Sequence, residues 1–131
     1  MSKIDAVGVA SSDFTKTVKF YSLLGFEFPK FKSEEDHLEA IHKDGDTRLM
    51  IDSVKLLTNI LGEKPRPGNT SAFAILYKSP DEVNKAASSV SSAGFKITKE
   101  PWDAFWGQRY AIVEDPDGYR VDLFAALPYK K

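Results

Sequence analysis

Cysteine is absent from the chain, and histidine occurs only twice in 131 residues, as His37 and His42. Without thiols there are no disulfides and no thiolate metal sites. No apolar run approaches the roughly 20 residues of a membrane span. The opening "MSKIDAVGVASSD" lacks the long apolar core of a secretory signal. Excess charge of either sign is missing too, with 18 basic against 19 acidic residues and a formal net charge of −1. No dense Lys/Arg run appears, so nothing suggests a nucleic-acid or membrane partner. A cytoplasmic location is the resulting expectation.

Apolar residues make up 42% of the chain, enough for an ordinary core. In "KIDAVGVAS", Val7 and Val9 alternate with Ala6 and Gly8, the period of a strand. The period then changes. Phe14, Val18, Tyr21 and Leu24 share one helical face; Ser12 or Asp13 can cap its start, and Gly25 suits its end. "FEFPKFKS" reads as a strand whose proline favours an edge or bend, and "HLEAIHKDGDTRLMIDS" as a hairpin. The same series returns later. Phe73, Ile75 and Tyr77 alternate in "NTSAFAILYKS". Ser79, Pro80 and Glu82 open a second helix with Val83, Ala87 and Val90 as its buried stripe. Gly94 ends that helix, "FKITKEP" follows as a strand, and a hairpin closes the chain.

Gly25-Phe26 and Gly94-Phe95 lie at matching points of the two halves. Internal duplication of this kind governs the fold. The expectation is an α+β protein of two βαβββ repeats, one over about 1–53 and one over about 70–127, joined by a linker over about 54–69. Helices outside a curved mixed sheet would leave a concave cleft.

"IDAVGVASSDFTKTVKFYSLLGFEF", "SPDEVNKAASSVSSAGFKI" and above all "DPDGYRVDLF" resemble the vicinal oxygen chelate superfamily, the fold of glyoxalase I and bleomycin-resistance proteins. "DPDG" itself reads as turn chemistry. Pro116 presets φ, Gly118 accepts a left-handed conformation, and Asp115 bonds its own turn.

Metalloenzymes of that superfamily place a histidine early in the first strand of each half and an acid in the last. Here the resemblance puts Ala6 and Ala72 at the histidine positions. Asp122 fills one acidic position; the other falls near Arg48 or Met50. His37 and His42 are five apart in one expected strand, which points them to opposite faces. The expectation is therefore no metal and no cofactor.

Alternation in the final strands puts Val121, Leu123, Ala111 and Val113 under the helices. Arg120, Asp122, Phe124, Gln108, Tyr110 and Ile112 then face the cleft, joined by Arg48 and Met50 from the first half. Trp102, Phe105 and Trp106 fall within five positions, and the segment resembles the tryptophan-glycine stretch bordering a ligand groove between two subunits in bleomycin-resistance-type proteins. The candidate ligand-binding set is thus Arg48, Met50, Trp102, Phe105, Trp106, Gln108, Tyr110, Asp122 and Phe124. Asp122 can be an ion-paired carboxylate beside Arg48 or Arg120, an unpaired one selecting a donor or cation, or a base partnered by Tyr110 or His42.

Two functions follow as expectations. One is a metal-free homodimer that sequesters an aromatic or cationic small molecule, as antibiotic-resistance members of the fold do. The alternative is a glyoxalase-like lyase, isomerase or epimerase, metal-free or using other ligands.

Overall fold

The computed structural model describes residues 1–128. They divide into two compact units, 1–67 and 68 onward.

In the first unit β1 (Ala6–Ser11) is followed by α1 (Phe14–Leu23), β2 (His37–Glu39), β3 (Arg48–Ser53) and α2 (Val54–Leu61). The sheet order is β1-β3-β2, with β1 parallel and β2 antiparallel to β3. Leu49 and Ile51 are buried as the alternation requires. Phe14, Phe20, Tyr21 and Leu24 form the buried side of α1. Val18, expected among them, is only partly covered, and Thr17 lies buried with its hydroxyl 2.7 Å from that of Ser11. Asp13 caps the helix by accepting from the Lys16 N–H. Ser53 caps α2 by accepting from the Leu56 N–H at 3.0 Å. No residue of α2 is buried.

In the second unit the order is β4 (Ser71–Leu76), α3 (Pro80–Ser92), β5 (Lys96–Ala104), β6 (Gln108–Glu114) and β7 (Arg120–Ala126). The sheet runs β4-β7-β6-β5, with β4 parallel to β7 and the other pairs antiparallel. Val83, Ala86, Ala87 and Val90 of α3 are buried, as are Ala111, Val113, Val121 and Leu123 of the sheet. Each large apolar side chain so covered contributes about 1.5–3 kcal/mol. Ser79 caps α3 as its spacing predicts, with Pro80 in the first turn.

The α+β class and the repeat are both present. The second unit is βαβββ, whereas the first is short by one strand. Matching the two sheet orders makes 26–33 the counterpart of β5, and this segment is not a strand. Pro29 has no N–H to give a ladder. The Glu27 carbonyl still accepts from the Ile41 N–H at 2.8 Å. β2 also ends at Glu39, so His42 lies in the 40–47 connection and not on the strand of His37.

The "DPDG" turn is as its chemistry requires. Asp115 is buried, and one of its carboxylate oxygens accepts from the N–H of Asp117 at 2.9 Å and of Tyr119 at 3.0 Å. Gly118 has φ of 96°, a conformation that disfavours any side chain.

Candidate functional site

The second unit has one helix-covered face and one open face. Alternation along β6 and β7 sends Tyr110, Ile112, Asp122 and Phe124 to the open face, each partly exposed. Cross-strand register then sets Tyr110 opposite Phe124, Ile112 opposite Asp122, and Trp102 of β5 opposite Tyr110. Residues distant in sequence therefore become neighbours on one surface.

The aromatic rings form a connected cluster. Tyr110 stacks on Phe124 at 5.8 Å between centroids. Trp102 meets Tyr110 at 5.6 Å and Trp106 at 6.2 Å, and Trp106 meets Tyr110 at 5.4 Å, all edge to face. Phe105 adds a further edge contact to Trp106 at 5.1 Å. The Trp106 N–H donates to Gln108 Oε1 at 2.8 Å, which fixes the indole. The tip stays accessible all the same, with Trp106 49% and Phe105 97% exposed. Exposed rings already fixed against one another offer apolar area at little ordering cost.

Asp122 anchors the base of this cluster. Its two carboxylate oxygens accept one hydroxyl each, from Ser71 of β4 and from Tyr110 of β6. Neither Arg48 nor Arg120 pairs with it, whereas Tyr110, one of its expected partners, does bond to it. Arg120 instead donates to the Asn69 carbonyl at 2.8 Å and approaches Glu114 at 3.7 Å. Arg48 is held by carboxylates of its own unit. Two hydroxyls within reach satisfy the carboxylate without an ion pair. Burial, and then the bond to Asp122, push the Tyr110 phenol up to about 12. It remains a proton donor near neutrality and serves poorly as a base.

Seven of the nine expected residues, Trp102, Phe105, Trp106, Gln108, Tyr110, Asp122 and Phe124, thus belong to the second unit's open-face cluster or the hairpin tip beside it. Arg48 and Met50 belong to the first unit's sheet. There Arg48 donates to Asp5 at 2.7 Å and to Glu39 at 2.8 Å. Glu39 also meets His37 Nε2 at 2.8 Å, and His37 Nδ1 lies 2.6 Å from Asp52. His42, an expected partner for Asp122, is 3.9 Å from Glu39. The link from Asp52 to His37 went unrecognised in the sequence. Arg48, Met50 and Asp52 do alternate onto one face, and that was the available signal.

A histidine between two carboxylates donates from both nitrogens only as the imidazolium. The bond to Asp52, then that to Glu39, raises the His37 pKa above its ordinary 6.5. Its stabilising contribution is therefore complete below pH 6.5 and is lost as pH rises through the higher folded value. With His37 45% exposed, solvent screens the effect and it stays small. Once the base-catalysed intrinsic rate is divided out, amide protection along β2 is expected to fall over that upper range. His37→Gln should remove the pH dependence.

The residues present do not suit the metal centre that the fold family implies. Ala6 and Ala72 carry no donor, and both oxygens of Asp122 are engaged by hydroxyls. Among the described residues no group of three or more His, Asp or Glu is placed to hold an ion. Among the same residues no helix is long and apolar enough to cross a membrane.

Comparison with known proteins agrees with this architecture. Residues 3–123 match the family model described as the Glyoxalase/Bleomycin resistance protein/Dioxygenase superfamily, and the chain belongs to that superfamily. No curated protein gives a significant sequence match. Among solved structures, a glyoxalase-related enzyme from Fulvimarina pelagi superposes with a TM-score of 0.80 at 17% identity, covering 95% of this chain and 88% of that one. A glyoxalase/bleomycin resistance protein/dioxygenase from Nocardioides gives 0.71 at 19% identity, covering 100% and 87%. Lactoylglutathione lyase from Agrobacterium tumefaciens gives 0.68 at 16% identity, covering 95% and 94%. At these identities the likeness is one of fold.

Proposed function

We propose that this protein is a small-molecule binder that sequesters a compound with a planar aromatic part, by means of the open face of the second unit. The observation that carries this reading is the partly exposed, pre-packed cluster of Trp102, Trp106, Tyr110 and Phe124 above the hydroxyl-bound Asp122. Affinity requires only apolar area and a few placed polar groups, and both are present. Sequestration of a toxic compound, as in antibiotic resistance, is a role such a binder fills.

Homodimerisation belongs to the same reading. Leu76 and Phe105 leave large apolar side chains 69% and 97% exposed, the kind of surface a second copy covers. Sedimentation at micromolar concentration should give twice the chain mass; a monomer would remove this part.

Naphthol, which is planar and uncharged, is a suitable first probe. Titrated into the protein, it should change the emission of Trp102 and Trp106 saturably. A linear, unsaturable response up to the probe's solubility limit would oppose the proposal. For the enzymatic alternative, a glyoxalase-like lyase, isomerase or epimerase, the group beside Asp122 is the Tyr110 phenol. Tyr110 is held as a donor, and His42 is engaged with Glu39.

A further inference from the structure

Three basic side chains lie on or beside the second unit's open face, and they differ in how they are held. Arg120 is tied to the Asn69 carbonyl and faces Glu114. Lys96 pairs with the same Glu114 at 3.8 Å. Lys99 has no carboxylate within ion-pair range among the described residues. Its ammonium lies over the Trp102 ring, 5.0 Å from the centroid. Cross-strand register sets Lys99 opposite Ile112, itself the neighbour of Asp122, so Lys99 shares the face of the cluster.

Glu114, Asp122 and the Trp102 ring could each attract a cation, and all three are already engaged; Glu114 faces both Arg120 and Lys96. The π face of Trp102 carries the Lys99 ammonium, and a like charge arriving there meets repulsion. Asp122 already has a hydroxyl on each oxygen. An anion meets the opposite situation. Lys99 has three N–H donors on a flexible stem and no carboxylate to leave behind. It can turn from Trp102 to a negative group while the ligand's ring rests on the indoles.

We infer that the compound recognised here is a planar aromatic anion, with Lys99 as the residue that selects its charge. This rests on the proposed ligand-binding role of the same face and narrows it.

Three probes of one shape separate the two ideas: naphthoate, neutral naphthol and cationic naphthyltrimethylammonium, each titrated by calorimetry into the full chain. The expected order is naphthoate, then naphthol, then the cation. A surface charge contact is modest, but reversing the ligand's charge turns attraction into repulsion, so the outer two should differ by about tenfold. Lys99→Met keeps the aliphatic stem and should abolish the preference, bringing the three probes to similar affinities. Lys99→Arg should retain it. Cation binding equal to or tighter than naphthoate binding overturns the inference and leaves the ligand site standing, as does an anion preference that survives in Lys99→Met. Failure of all three probes to bind overturns the site itself, and the inference with it.

Discussion

Replacing Asp115 with alanine is expected to destabilise the protein by about 2–3 kcal/mol, with a fall in Tm on the order of 10 °C. Asp115 is only 4% exposed. One of its carboxylate oxygens accepts from the N–H groups of both Asp117 and Tyr119, within the turn into β7. Alanine leaves both part-buried donors without that acceptor. The turn also sets the register of β6 on β7, and through it the places of Tyr110 and Asp122 on the open face. Asp115→Asn keeps one carbonyl-type oxygen and should recover part of the loss. Thermal melts followed by circular dichroism distinguish the two variants. Equal stability of wild type and Asp115→Ala would show that the turn is held by its glycine and proline alone.

Removing the Trp106 side chain should have the opposite profile, with little effect on folding and a large effect on binding. Half of the indole is exposed, so Trp106→Ala should stay within about 1 kcal/mol of wild type in denaturant unfolding. Its ring nevertheless contacts Trp102, Phe105 and Tyr110 edge to face and is fixed by Gln108. An aromatic anchor of this kind is worth about 2 kcal/mol when truncated, roughly thirtyfold in Kd for naphthol. A variant that folds and binds as wild type would confine the cluster to a packing role. A variant that loses both stability and binding would make the tip part of the core.

The features legible in the sequence were those that depend on near neighbours. Val121 and Leu123 alternate with Asp122, Ser79 caps α3, and Asp115 to Gly118 carry their own turn chemistry. The duplication was visible because Gly25-Phe26 and Gly94-Phe95 each follow a helix. Contacts created by pairing were hidden. Ser71 reaches Asp122 across 51 positions only because β4 lies parallel to β7. A serine ahead of an apolar strand carries no mark of that. His37 and Asp52 are opposed by the register of β2, a strand of three residues whose length no periodicity reveals. The missing strand at 26–33 is a similar case. Its composition suits a strand, but Pro29 interrupts the ladder that pairing would need.

Amide chemical-shift mapping of the isotope-labelled protein during a naphthoate titration is the most direct test of a ligand site on the second unit. Saturable shifts are predicted on β5 from Lys99 to Trp102, around Trp106 and Tyr110, and on β7 at Asp122 and Phe124. Shifts gathered instead on β2 and β3 of the first unit, or no saturable shifts at all, would contradict it.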